Sequence, residues 1–302
     1  MTATKPLPHI ALLGTGLMGL PMATRLIEAG YPLTVWNRTL AKTAGLAERG
    51  ATVAASPVAA MHHASVAITM LEAGAIVAEV VTAALPAMAR GTLLIDMSST
   101  RQAEAVALSE LLSKQGVAFL DAPVSGGVQG AQAGTLAIMA GGAEADFARA
   151  ESILRVFGRP VLVGTAGCGQ LAKLCNQLIV GGTLNIVAEA LLLARAGGAD
   201  PAAVRSAIRG GFAESRILDV HGQRMLERNF APGGQVRSQA KDMENVLLAA
   251  AAAGLRLPVT ELVTERYRSI LAELPQADQS AALIALERLN PGQRLGELPD
   301  RF

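Results

Sequence analysis

Short, uninterrupted apolar runs recur through the first half of the chain: IALLG (10–14), LTVWN (33–37), VAITM (66–70), TLLID (92–96), VAFLD (117–121), TLAIMAG (135–141) and PVLVG (160–164). Runs of this length without polar alternation predict strands buried on both faces. The stretches between them carry helical spacing, as at 17–29, which ends at Gly30. Strand alternating with helix implies right-handed crossovers and a doubly wound α/β sheet. The pattern changes near Gly164, and from about 168 onward nothing reads as a strand. Residues 168–196 form one proline-free helical pattern, and Asp200-Pro201 then supplies an N-cap and a first-turn proline for the next helix. Further helices fit 216–228, 238–253, 259–272 and 279–289. The predicted organisation is an α/β domain at 1–166 followed by an all-helical domain at 167–302, with no internal repeat. The tail after Asn290-Pro291-Gly292 is predicted to be a loose end.

Two stretches, 177–195 and 246–255, are strongly apolar. Asn185 and Glu189 interrupt the first, and the second is short and mostly alanine, so neither reads as a membrane span. In the first, Leu178, Ile179, Val180, Leu184, Ile186, Val187, Leu191, Leu192 and Leu193 surround the helix instead of forming one stripe. A helix apolar all round is expected to be buried on every side. A small helical domain offers limited cover, and Gly181 and Gly182 would permit close helix approach. A second subunit is therefore expected against this helix, in a homodimer or homotetramer closed by two-fold symmetry.

Composition narrows the classes. The 302 residues give ample length for two cores. A hydrophobic share of 51% argues against disorder. A net charge of +1 and an aromatic share of 3% give no footing for nucleic acid. Cys168 and Cys175 would stand two turns apart on one helix, roughly 10 Å and beyond disulfide reach. They are expected to be reduced and mostly buried, with no metal between them. That and the absence of an apolar signal core in MTATKPLPH point to a cytoplasmic protein.

The first chemical signal is GTGLMG, in which Gly14, Gly16 and Gly19 follow a predicted strand and open a predicted helix. In that context the pattern is the fingerprint of a Rossmann-type dinucleotide site. Gly14 allows the tight turn, Gly16 a close approach of backbone to pyrophosphate, and Gly19 close packing of helix on strand. With Leu17 and Met18 they would present the helix N-terminus to the phosphates. At the end of the second strand, Asn37-Arg38-Thr39 stands where an acidic residue would bind a ribose 2′-hydroxyl. A neutral Asn37, a phosphate-pairing Arg38 and the Thr39 hydroxyl favour NADP over NAD. Met70 and Leu71, at the end of a strand, are expected to line the nicotinamide-ribose path.

Four blocks extend the reading: GTGLMGLPMATRL (14–26), DAPVSGGVQGAQAGTLAIMAGG (121–142), GCGQLAKLCNQ (167–177) and KDMENVL (241–247). In their order and spread the chain resembles the β-hydroxyacid dehydrogenase family, which includes 3-hydroxyisobutyrate dehydrogenases and tartronate semialdehyde reductases. AIRGG (207–211) and RNFAPG (228–233) look most like the latter. The resemblance implies an NAD(P)-dependent enzyme that moves a hydride between the nicotinamide and a small carboxylate-bearing substrate, and oligomers built through the helical domain.

Hydride addition to a carbonyl leaves an alkoxide that needs a proton, and the reverse reaction needs the same group as base. His9, His62, His63 and His221 lie outside the four blocks and read as structural. Lys173 follows the Gly167-x-Gly169 turn early on the long helix, and a helix start at a domain junction is expected to face a cleft. Such a lysine is commonly just solvated; the resemblance makes it the proton donor and acceptor. Asn176 and Gln177 follow on the same helical side. The resemblance implies that Asn176 orients the substrate oxygen, and Gln177 is taken as substrate-binding. Ser125-Gly126-Gly127 offers backbone N–H groups and a hydroxyl to a carboxylate. A plain strand-to-loop connection fits it equally, and the resemblance favours substrate binding. It further implies a cofactor-contacting hydroxyl best matched by Ser99, within one residue, and places Lys241 near the cofactor. The expected activity is reduction of tartronate semialdehyde (2-hydroxy-3-oxopropanoate) or a similar semialdehyde. The alternatives are oxidation of 3-hydroxyisobutyrate or another 3-hydroxy acid, and a nucleotide-sensing binding protein without catalysis. Lys173, Asn176 and Ser125 together argue against the last.

Overall fold

All seven apolar runs form strands in the structure, a computed structural model that describes residues 6–302. Residues 1–5, the start of the MTATKPLPH stretch, lie outside the described residues. The strands are β1 (Ile10–Leu13), β2 (Leu33–Trp36), β3 (Thr52–Val53), β4 (Val66–Thr69), β5 (Leu93–Asp96), β6 (Ala118–Asp121), β7 (Val124–Ser125), β8 (Leu136–Gly142) and β9 (Gly158–Gly164). β3 and β7 are additions of two residues each, too short to leave a periodic pattern. The sheet runs β3-β2-β1-β4-β5-β6-β8-β7, with β9 beside β8. β1 to β6 pair in parallel, β8 runs antiparallel to β6 and β7, and β9 lies parallel to β8. Successive strand residues serve opposite faces: Ile10 and Leu12 join one core with Met22, Leu26 and Phe157, while Ala11 and Leu13 join another with Val81, Leu94 and Phe119. The loops after β1, β2, β4, β5 and β6 therefore emerge along one edge. The order of strands reverses between β1 and β4, where such sheets open a ligand crevice.

The chain divides into two compact units, the first ending at Lys173 and the second beginning at Leu174. The division falls inside the helix Cys168–Ala196. It lies past 166/167 because the first turn of that helix is tied to the end of β6: Gly167 N and Gln170 N both donate to Asp121.

In the second unit the helices are Pro201–Ile208, Arg216–Leu226, Val236–Ala252, Pro258–Leu271 and Ala282–Leu289, besides the later turns of the long helix. Asp200 caps the first of these by accepting from Ala202 N, with Pro201 in the first turn. The stretch 279–289 splits into a short turn, Gln279–Ala281, and the helix proper. Among the described residues no strand follows β9; only isolated bridges pair Asn229 with Arg301 and Gln235 with Asp278.

Two expectations need correction, for the tail and for the thiols. The tail is tied down. Leu295 is fully buried, Phe230 N donates to Arg301 O, Arg301 N to Arg228 O, and Phe302 stacks on Phe230. Arg228, 1% exposed, anchors it by pairing with Glu287 through both terminal nitrogens and with Asp300. Within the single chain the long helix is covered on part of its circumference only. Leu184, Val187, Leu191 and Leu192 enter the core, but Ile179, Ile186 and Leu193 are 63%, 61% and 74% exposed. Positions seven apart fall almost in line on a helix, so these three make one outward stripe that the unit's own helices do not reach. The helix is apolar and long enough to cross a membrane by length and composition, with a mean hydropathy of 1.7, yet its Leu184, Leu191 and Leu192 are core residues of the second unit. Nor are both thiols buried: Cys168 is half-buried and Cys175, on the outward side with Ile179, is exposed.

Candidate active site

The turn after β1 is shaped by what its glycines exclude. Gly14 has φ +110°, and a Cβ there would stand 2.4 Å from Met70 O. A Cβ on Gly19 would stand 1.9 Å from Gly14 O. The helix Gly19–Glu28 thus packs directly on the turn, as the fingerprint requires. A Cβ on Gly16, by contrast, would meet nothing within 4 Å, so the space beside it is open to a ligand's phosphates. No acidic side chain occupies the helix's first turn, which leaves its N–H groups and dipole to an anion. Leu17 is exposed and Met18 packs partly against the core. These features fit a dinucleotide.

Asn37 does more than lack charge. Its Oδ1 accepts from Thr15 N at 3.1 Å and its Nδ2 donates to Thr39 O at 2.9 Å, so one amide fixes the glycine turn to the end of β2. Arg38 and Thr39 beyond it are exposed.

At the end of β4, Met70 N donates to Leu13 O and Leu71 N to Ser98 Oγ, leaving both side chains half-buried. The three hydroxyls after β5 separate clearly. Ser98 and Thr100 are buried, and Ser98 is committed to its neighbours, while Ser99 is half-exposed. Ser125 ends β7, and Gly126 and Gly127 follow at φ +136° and +63°, exposed, at the start of the short helix Gly127–Ala133.

Two buried acids end the central strands and are Cα partners in the parallel pair of β5 and β6: Asp96 and Asp121. Asp96 Oδ1 accepts from Thr69 Oγ1 and Ser98 N. Asp121 accepts from Gly167 N and Gln170 N, each at 2.7 Å. Burial without a cationic partner pushes both carboxyls up to about 6, against the pull of those hydrogen bonds. Sequence reading missed both as site-forming residues, although an acid closing an otherwise apolar strand run (LLID, AFLD) is a visible signal.

Lys173 sits half-buried at the end of the first unit, one turn beyond Gln170 on the long helix. Asn176 is three residues further, in the second unit. There Asn176 Nδ2 donates to Gln177 Oε1 at 2.8 Å, and Gln177 Nε2 donates to Asp242 Oδ2 at 2.7 Å and to Gln239 Oε1 at 3.3 Å. Lys241 Nζ lies 3.4 Å from Asp242 Oδ1. Two blocks some sixty positions apart, GCGQLAKLCNQ and KDMENVL, thus meet in one polar cluster. Asp242 and Gln239 are its unforeseen members, and Gln177 spends its amide within the protein.

The histidines stand elsewhere. His9 Nε2 lies 2.9 Å from Thr34 Oγ1, burial and His63 lower its pKa, and His62 and His63 are exposed. His221 pairs with Asp278 in the second unit.

Known proteins resemble this chain over nearly its whole length. Residues 9–169 match the profile described as the NAD binding domain of 6-phosphogluconate dehydrogenase. Residues 167–286 match that described as NAD-binding of NADP-dependent 3-hydroxyisobutyrate dehydrogenase. The chain is 39% identical to the 2-hydroxy-3-oxopropionate reductase of Escherichia coli K12 over 284 residues, 92% of this chain and 97% of that one. It is 34% identical to the 3-hydroxyisobutyrate dehydrogenase of Pseudomonas aeruginosa over 295 residues, 94% of this chain and 99% of the relative. Among solved structures, the Mycobacterium tuberculosis 3-hydroxyisobutyrate dehydrogenase with L-serine superposes with a TM-score of 0.86 at 31% identity, covering 93% of this chain and 99% of that one. Matches of this length and identity, over a sheet whose first turn is built for a dinucleotide, make the chain a member of the NAD(P)-dependent β-hydroxyacid dehydrogenase family.

Proposed function

We propose that the enzyme reduces a short semialdehyde carrying a carboxylate, tartronate semialdehyde first among them, with NADPH. The observation that carries the reading is Lys173 on a helix whose first turn is pinned to the sheet, in a chain 39% identical to a 2-hydroxy-3-oxopropionate reductase. When bound, the nicotinamide supplies the hydride that adds to the carbonyl carbon. The Lys173 ammonium gives a proton to the oxygen so formed and regains one from solvent; in the oxidative direction its neutral amine takes the hydroxyl proton. Asn176 orients that oxygen, its amide held by Gln177 and through it by Asp242. The Ser125 hydroxyl and the N–H groups of Gly126 and Gly127 receive the carboxylate. Ser99, the half-exposed hydroxyl after β5, faces the cofactor ribose, beside Met70 and Leu71.

Lys173→Ala tests the central assignment. Loss of an acid–base group costs about 10²–10⁴-fold in kcat, while cofactor affinity stays near that of the wild type. Near-normal kcat in the variant ends the assignment. A spectrophotometric panel of tartronate semialdehyde, succinic semialdehyde, 3-hydroxyisobutyrate and L-serine, each with both cofactors, tests the substrate. A clear preference for 3-hydroxyisobutyrate moves the enzyme to the activity its Pseudomonas aeruginosa relative is named for.

NADPH is favoured because Arg38 can pair with a 2′-phosphate and Asn37 sets no carboxylate against it. Asn37→Asp keeps an acceptor for Thr15 N but repels that phosphate, so the ratio of kcat/KM for NADPH over NADH falls. A wild type that prefers NADH contradicts this pairing.

The outward stripe of Ile179, Ile186 and Leu193 supports an oligomer closed by two-fold symmetry, in which a second copy covers what the second unit leaves bare. Light scattering reads it directly: a mass of 31.1 kDa, that of one chain, removes the idea. Ile186→Glu lowers the mass of an assembly built on this stripe.

A further inference from the structure

The turn before Lys173 carries a fully buried glutamine, Gln170, that acid–base chemistry does not call for. A primary amide buried without partners costs several kcal/mol, so a site that only needed filling would hold an apolar side chain. Gln170 is satisfied at both ends. Its Oε1 accepts from Thr100 N at 3.0 Å, and its Nε2 donates to Ser98 O at 2.8 Å. Those two backbone groups lie on either side of Ser99, so one side chain brackets the residue and fixes the peptide planes before and after it. The backbone of Gln170 is fixed in turn, its N donating to Asp121 Oδ2 at 2.7 Å. The seat beneath has no slack: a Cβ on Gly169 would stand 2.4 Å from Asp121 O and 2.5 Å from Met139 O.

The geometry points to Gln170 as a positioning residue that holds the Ser99 loop in register with the turn bearing Lys173. It touches neither substrate nor cofactor. It sets where the ribose-side hydroxyl and the proton donor stand relative to each other, and so rests on the roles proposed above for Ser99 and Lys173. The bracket is made of neutral groups, which adds no fixed charge beside the lysine.

The test compares Gln170→Met, which keeps volume and loses both bonds, with Gln170→Glu, which keeps the acceptor and loses the donor. Misregistration by about an ångström costs up to about 10²-fold, so Gln170→Met is expected to lower kcat by about 10–100-fold at saturating substrate and cofactor. Cofactor affinity, set largely at the glycine turn, changes by less than about threefold. The deuterium isotope effect on kcat, with nicotinamide deuterated at the transferred position, rises as the chemical step becomes limiting. Gln170→Glu adds a reversible readout. When protonated, the introduced carboxyl regains a donor for Ser98 O, so its kcat relative to wild type climbs as the pH falls. Asp121, which accepts from Gln170 N, and Asp96, which accepts from Ser98 N, titrate in the wild type too, which is why the ratio is read. If Gln170→Met fails to fold, the Gln170→Glu ratio alone decides, and a ratio flat with pH overturns the proposal. A folded Gln170→Met with kcat within about twofold of wild type and only a lower melting temperature also overturns it. Lys173→Ala assayed in parallel separates the two failures. If Lys173→Ala is inactive and the Gln170 variants are normal, only the bracket is wrong; an active Lys173→Ala removes the acid–base reading and the bracket with it.

Discussion

Asp121 in the first unit and Asp278 in the second are both buried carboxylates that pin chain segments together, and they are held in opposite electrostatic settings. Asp121 receives two backbone N–H groups, no ion pair among the described residues reaches it, and burial pushes it up to about 6. Asp278 faces His221 Nδ1 at 3.2 Å, Arg224 Nε at 3.3 Å, and both the hydroxyl and the N–H of Ser280. Burial alone would raise it as well, but His221 and Ser280 hold it below the usual carboxylate range. At the ends of β5 and β6 neutral backbone donors hold the loops: Gly167 N and Gln170 N bind Asp121, and Ser98 N binds Asp96. In the second unit charged pairs close the structure: Asp278 holds the turn after Pro258–Leu271, and Arg228 holds the tail through Glu287 and Asp300.

The largest effect expected from this contrast comes from Arg228. Arg228→Met leaves the partly buried Glu287 without its cation and Asp300 with Arg294 alone, which costs about 3 kcal/mol, a fall in melting temperature of roughly 10 °C. The kcat of the folded variant stays near that of the wild type, since none of the residues assigned to chemistry touches this cluster. Urea unfolding at pH 7 measures the first and steady-state assays at 15 °C the second; a loss below about 1 kcal/mol would show that the charged clamp does not hold the unit together.

Asp278→Asn is expected to act in the same direction but less, by about 2 kcal/mol at pH 7, the scale of hydrogen bonds to a charged group. Its pH dependence carries the sign. Because the native pKa lies below the unfolded one, the ionised carboxylate stabilises the fold above about pH 4. That contribution fades as the pH falls through the native pKa. The gap between wild type and variant, measured by urea unfolding from pH 6 down to pH 3, should therefore close on acidification, and a gap that widens contradicts the assignment.

The same contrast explains what could be read in the sequence. Ile10 and Leu12 announce a strand because burial on both faces leaves no polar residue in IALL, and Gly14, Gly16 and Gly19 announce a dinucleotide turn because all its constraints are local. Lys173 is visible as a residue type at a known spacing. Gln170 and Asp121 are not visible as partners, for their bonds reach Ser98, Thr100 and the turn at Gly167, and satisfied buried polar groups leave no periodic trace. The tail misled for the same reason. Asn290-Pro291-Gly292 reads as a break, while the clamp that orders the segment beyond it is Arg228, some sixty positions earlier. The stripe at Ile179, Ile186 and Leu193 is apolar like the buried face of its helix, so composition alone does not separate the two faces.

Asp121→Asn should have the smallest effect at pH 7 and the most telling dependence on pH. The amide oxygen still accepts from one of Gly167 N and Gln170 N, and the other loses its acceptor, at a cost of about 1–2 kcal/mol. Removing a buried charge that lacks a cation offsets part of this loss. Between about pH 4 and 6 the unfolded chain has released the Asp121 proton while the native state keeps it, so this group makes wild-type stability fall as the pH rises, by at most about 1.4 kcal/mol per pH unit. Asp96 contributes a slope of the same sign in both proteins and is partly relieved when its neighbour becomes neutral. The variant should therefore gain on the wild type steadily from pH 4 to pH 6 and run parallel to it above that. Were the gap constant across this window, Asp121 would be ionised in the native state throughout, held by the helix N–H groups strongly enough to cancel its burial, and the contrast with Asp278 would reduce to a difference of partners without a difference of charge state.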